Sequence, residues 1–85
     1  MADAPMADRT LDCKGLLCPM PIVKLSKAMK EMDAGQVLLM EATDPGSVPD
    51  VQAWSKNTGN PLVNHDKEGK VMRFWIQKAW QPPGV

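Results

Sequence analysis

Gly15-Leu16-Leu17-Cys18-Pro19-Met20-Pro21 runs directly into Ile22-Val23-Lys24-Leu25-Ser26-Lys27-Ala28-Met29-Lys30-Glu31-Met32. In the second stretch Ile22, Leu25, Ala28, Met29 and Met32 recur at helical spacing, with Lys24, Lys27 and Glu31 pointing away. The spacing predicts an amphipathic helix from about Pro19 to Met32, closed by Asp33-Ala34-Gly35 with Gly35 as a left-handed cap. Proline is tolerated in a first turn because those N–H groups have no partner within the helix. Cys18 therefore stands at a helix N-terminus, where the dipole and free N–H groups favour a thiolate. With Cys18 as the N-cap, Pro19 is the first helical residue and Pro21 the third. Pro21 then offers the sulfur no N–H, and Met20 is left as the near donor. A thiolate with fewer hydrogen bonds is the stronger nucleophile; helix initiation alone is the other reading of the two prolines.

Outward from this segment the chain alternates strands and helices. Thr10–Cys13 is a short first strand, followed by a turn at Lys14-Gly15. Gln36–Ala42 alternates as a strand, with Leu38, Met40 and Ala42 on one face and Val37, Leu39 and Glu41 on the other. Asp44-Pro45-Gly46 turns the chain. Ser47 reads as the N-cap of a second helix, with Pro49 in its first turn and Asp50 three residues on. That helix runs to about Thr58, buries Val48, Val51 and Trp54, and closes at Gly59. Leu62–His65 and Val71–Lys78 are strands joined by the polar connection Asp66-Lys67-Glu68-Gly69-Lys70.

The expected fold is α+β: a two-layer α/β sandwich in the order β-α-β-α-β-β, with a mixed four-stranded sheet and two helices on one face. A single domain spans 10–79, with 1–9 and 80–85 as flexible tails. The far sheet face carries Val37, Leu39, Val63 and Trp75. Such a group is either a contact surface or is covered by tails and long side chains.

Eighty-five residues form one core. Ten basic and ten acidic residues balance, which argues against nonspecific nucleic-acid binding. No apolar run is long enough to span a membrane, and the N-terminus lacks a secretory signal pattern. Two cysteines without such a signal point to free thiols in a cytoplasmic protein. Between Lys14 and Lys30 the charges are Lys14, Lys24, Lys27 and Lys30, with no acid among them. This is either a solvated lysine face or a docking face for an acidic partner, with Lys14, Lys24 and Lys27 the candidates.

Cys18-Pro19-Met20-Pro21 resembles the signature of the TusA (SirA-like) sulfur-carrier family, Cys-Pro-x-Pro at the opening of the first helix. The resemblance covers nearly everything from Leu11 to Lys78. It takes in Leu11-Asp12, Gly15-Leu16, Asp44-Pro45-Gly46-Ser47, Asp50, Trp54 and Gly59-Asn60-Pro61-Leu62. It implies a fold like the C-terminal domain of bacterial translation initiation factor three. It also implies a sulfurtransferase activity: the motif cysteine, here Cys18, accepts sulfane sulfur as a persulfide and relays it to another protein. The implied donor is a protein such as a cysteine desulfurase or rhodanese. The implied uses are tRNA thiolation, cofactor assembly or sulfur oxidation. Only Cys18, Pro19 and Pro21 carry over by motif position, and the implied chemistry needs no cofactor beyond the covalent persulfide. A thiol-based regulatory or interaction module without sulfur transfer is the alternative.

Cys13 lies outside that signature. It reads as a small buried residue at a strand end, or as a resolving thiol that would leave a Cys13–Cys18 disulfide. His65, the sole histidine, sits near a hairpin with no motif acid to orient it, so a surface or packing role is expected. Cys13, Cys18 and His65 match no strong zinc spacing, and no metal is expected.

Overall fold

In the computed structural model, which describes residues 7–17 and 19–79, the alternation along 37–42 becomes the middle of a sheet. The elements are β1 (Arg9–Cys13), α1 (Met20–Lys30), β2 (Val37–Ala42), α2 (Ser47–Thr58), β3 (Leu62–Glu68) and β4 (Val71–Gln77). The sheet order is β1-β2-β4-β3. β1 pairs parallel with β2, and β4 runs antiparallel to both β2 and β3. This is the expected β-α-β-α-β-β sandwich.

One apolar layer joins helices to sheet. Leu38, Met40, Ala42 and Ile76 are fully buried and pack with Leu25, Met29, Val51 and Phe74. At about 1.5–3 kcal/mol for each large side chain removed from water, this layer dominates the favourable side of folding. The opposite face is less apolar than the alternation implies. Trp75 is 5% exposed there, opposite Leu39 and Asn64. The Arg73 guanidinium lies 5.7 Å from its ring centroid and makes a two-pronged contact with Asp66. Val63 is the extra residue at the register shift between Leu62 and Asn64 and is largely exposed.

Several boundaries shift for local reasons. β1 begins at Arg9, and Asp8 is already tied down, its N–H on the Val37 carbonyl and its carboxylate accepting from the Val37 N–H. The tails at 1–6 and 80–85 lie outside the described residues. α1 stops at Lys30, with Glu31 rather than Gly35 as its C-cap. Lys78 Nζ donates to the Met29 carbonyl at 3.0 Å, placing a cation at the negative end of that helix. Gly35, at φ +88°, instead makes the turn into β2 and donates its N–H to the Lys78 carbonyl. β3 continues to Glu68, so the hairpin shrinks to Gly69-Lys70, with Gly69 at φ +62°. Ser47 is the first residue of α2 and not its cap; Gly46 holds that position. Gly59 does close α2, at φ +79° with its N–H on the Ser55 carbonyl.

β1, β2 and β3 point the same way, so their C-terminal ends share one edge of the molecule. The loop 14–19, the loop 43–46 and the Gly69-Lys70 turn therefore gather there, together with the N-termini of both helices. Open α/β sheets place their functional groups at this edge.

Candidate functional site

The loop between β1 and α1 is built from short-range hydrogen bonds. Lys14 N–H donates to Asp12 Oδ1 at 2.9 Å, and Leu16 N–H donates to the Cys13 carbonyl at 3.2 Å. Gly15 takes φ +81°, a conformation that costs other residues about 1 kcal/mol, and its N–H reaches Thr43 Oγ1 at 2.9 Å. That bond ties the loop to the one ahead of α2. Cys18 itself lies outside the described residues; its neighbours define the setting.

The helix starts one residue later than the sequence reading placed it. Pro19 is the N-cap, at φ −97° and ψ 12°, and Met20 opens α1. Pro21 is thus the second helical residue, and it is fully buried. Met20 is not a spare donor: its N–H is spent on the Leu17 carbonyl at 2.9 Å. Val23 N–H closes the first helical bond, on the Pro19 carbonyl at 3.1 Å. With neither proline carrying an N–H, Ile22 holds the one first-turn donor without an acceptor among the described residues. The first turn also holds no acid. Any stabilisation of negative charge here comes mainly from the helix dipole and not from several direct N–H bonds.

Three exposed apolar side chains surround this start: Leu17 at 72%, Met20 at 46% and Val23 at 52% exposure. The sequence reading considers Met20 as an N–H donor and does not single out Leu17 or Val23. The signal was present, since neither fits the periodic set Ile22, Leu25, Ala28, Met29 and Met32 that faces the core. Together they give the start of α1 an exposed apolar character.

The three candidate docking lysines do not share a surface. Lys24 and Lys27 are exposed on α1 and line a groove of about 320 Å³ with Arg9, Leu11, Ala28 and Glu31. Lys14 projects to the far side of the sheet, where its Nζ lies 3.3 Å from Glu41 and 3.7 Å from Asp12. The hydrogen bond to Glu41, then the charge of Asp12, raise its pKa.

Cys13 is fully buried at the end of β1 within the apolar cluster. Burial pushes its thiol pKa up, Lys24 pulls it down to a lesser degree, and Asp12 adds a smaller upward push. Its thiol is held in the neutral, unreactive form. His65 is exposed on β3 opposite Phe74.

Residues 9–78 match the family model described as Sulfurtransferase TusA. The chain belongs to the TusA family. The chain is 51% identical over 73 residues to the putative sulfur carrier protein YrkI of Bacillus subtilis, covering 86% of this chain and 97% of that protein. It is 47% identical over 72 residues to the sulfur carrier protein TusA of Allochromatium vinosum, covering 85% and 95% respectively. The fold matches that of a SirA-like protein from Desulfitobacterium hafniense with a TM-score of 0.74 at 24% identity, covering 85% of this chain and 99% of that one. Membership gives the chain a sulfur-carrier role, with a donor and an acceptor as its partners in general terms. Among the described residues no helix is long and apolar enough to cross a membrane.

Proposed function

We propose that this protein is a persulfide-relay sulfurtransferase acting through Cys18 alone, with Pro19 and Pro21 shaping the helix start. The supporting observation is the exposed apolar rim of Leu17, Met20 and Val23 around a first turn that holds no acid. The Cys18 thiolate attacks the outer sulfur of a donor protein's persulfide. The donor S–S bond breaks, the donor leaves as a thiolate, and Cys18 becomes Cys-S-SH. An acceptor thiolate then attacks that outer sulfur, takes it as its own persulfide, and restores the Cys18 thiolate. Atoms and electrons balance in both steps, so no cofactor or metal is needed. With few N–H donors at Pro19, Met20 and Pro21, the thiolate would gain few backbone hydrogen bonds, which favours nucleophilicity in sulfur exchange.

Cys13 serves the core and takes no part in the relay. The rim receives both partners in turn, with Lys24 and Lys27 beside it to guide an acidic surface. The donor is a protein such as a cysteine desulfurase or rhodanese. The acceptor belongs to tRNA thiolation, cofactor assembly or sulfur oxidation, in the cytoplasm and with no direct nucleic-acid contact.

The test is intact mass without reductant after incubation with a cysteine desulfurase and cysteine. The expected gain is one sulfur atom, absent in Cys18→Ser and retained in Cys13→Ala. A chain that gains no sulfur from any persulfide donor would be the thiol-based regulatory module instead.

A further inference from the structure

A second groove opens on the same edge as the cysteine loop, on the side of the β3–β4 hairpin. Gly15, Thr43, Pro45, Lys67, Lys70 and Met72 enclose about 650 Å³. The groove continues past Pro45 into a space of about 450 Å³ that adds Val48, His65, Asp66 and Phe74. Its floor is apolar, with Met72 and Phe74 nearly buried and Val48 half-buried. One wall carries the exposed cations Lys67 and Lys70.

These two charges face little opposition. The ion pairs among the described residues engage Arg9, Lys14 and Arg73, not Lys67 or Lys70. Glu68 projects to the other face of the sheet, and Asp66, which borders the second space, has both carboxylate oxygens held by Arg73. Asp44, at the groove's edge, accepts the Gly46 N–H with its carboxylate. The start of α2 gives an anion nothing further. The N–H groups of Gly46, Ser47 and Val48 bond to Asp44 Oδ1, the Asp44 carbonyl and the Pro45 carbonyl, and Pro49 has none. The groove is therefore not a pocket for a small anion at a helix end. It is a trough with an apolar floor and two lysines on one wall.

We infer that this groove seats an acidic, partly apolar peptide segment of the protein that exchanges sulfur with Cys18. Aliphatic side chains lie on Met72, Val48 and Pro45, and carboxylates meet Lys67 and Lys70. The Gly15–Thr43 bond couples the groove to the cysteine loop, so a segment held here brings its parent protein over the rim of Leu17, Met20 and Val23. The inference rests on the relay proposed above. A nucleic acid fits less well, because the net charge is zero and no Phe or Trp side chain is exposed among the described residues.

The test begins with a short capped peptide alternating glutamate and leucine, titrated into the isotopically labelled full chain by NMR. Amide shifts are expected at Gly15, Thr43, Lys67, Lys70 and Met72, and they should weaken in about 0.5 M salt. Binding should drop at least about tenfold in the double variant Lys67→Glu, Lys70→Glu, a loss of about 1.4 kcal/mol. The same variant should bind the lysine-leucine peptide, a rescue that a misfolded protein would not give. Sulfur loading of Cys18 from a protein donor should slow in the variant, while loading from an uncharged small-molecule persulfide stays unchanged. Shifts centred on Lys24 and Lys27, or binding indifferent to charge reversal, would overturn the inference. Tighter binding of oligouridylate at the same amides would assign the groove to RNA and overturn it equally. Loading that fails from every donor would instead refute the relay, a separate result.

Discussion

Ser47 offers a prediction whose sign depends on a one-residue difference in where α2 starts. As an N-cap, its hydroxyl would accept an N–H of the first turn, and Ser47→Ala would cost about 1 kcal/mol. In the structure Gly46 is the cap, and Ser47 is 1% exposed with its Oγ lacking any hydrogen-bond partner. A buried hydroxyl left unpaired costs about 1–3 kcal/mol relative to its hydrated state in the unfolded chain. Alanine removes that cost and is the better helix former by a few tenths of a kcal/mol. Against this stands the hole left by one oxygen, about half a kcal/mol by its lost contacts. The net expectation is a gain of about 1 kcal/mol. For a domain of this length that raises Tm by about 4–8 °C. Urea unfolding should show a higher midpoint at unchanged slope. A lowered midpoint would refute the reasoning, because it would mean that the hydroxyl holds a stabilising bond.

Two further outcomes follow from the cysteine and proline geometry. Burial raises the Cys13 pKa above its ordinary 9.0, so above that pH the unfolded chain releases the proton while the folded chain keeps it. The thiol's contribution is thus complete below pH 9.0 and falls as pH rises toward the folded value; urea midpoints measured from neutral to alkaline pH should decline more for the wild type than for Cys13→Ala. Pro21→Ala restores an N–H to the second helical position and opens a buried contact, so the Cys18 thiol pKa should fall, transfer should slow several-fold, and stability should drop by about 1 kcal/mol. Thiolate absorbance against pH and single-turnover sulfur transfer check this, and an unchanged pKa and rate would leave the proline a purely structural part.

The fold was legible because its signals are periodic. Leu38, Met40 and Ala42 alternate, and Leu25, Ala28 and Met29 recur at helical spacing, so the pattern alone marks them as buried. What escaped was set by contacts between distant residues. β3 lengthens to Glu68 because Lys67 and Glu68 find partners in Met72 and Val71, although their side chains carry no strand signal. Trp75 faces away from the helices yet is nearly buried, and alternation alone cannot show that. The caps slipped by one residue for a common reason. A serine or cysteine one or two residues before a proline looks like a cap, but the backbone at Pro19 and Gly46 takes that position without any side-chain hydrogen bond. Lys14 read as a docking cation because Glu41, its partner, is 27 residues away in sequence.

The two helix starts at the shared edge obey opposite logic. At α2 the turn residues spend each of the first N–H groups internally, and Pro49 removes another, so that terminus is electrostatically closed. At α1 the prolines remove donors as well, and Met20 spends its own on Leu17, yet the flanking side chains are left apolar and exposed. A site meant to hold an anion for long would keep its N–H groups free. A site meant to pass sulfur on needs a thiolate that is formed but not strongly held, because each additional hydrogen bond lowers its nucleophilicity along with its pKa. The donor-poor start of α1 fits the second requirement. In the proposed relay, selectivity would rest on shape and charge at this edge, for which exposed Leu17, Met20 and Val23 and the lysines lining the two grooves are the available groups.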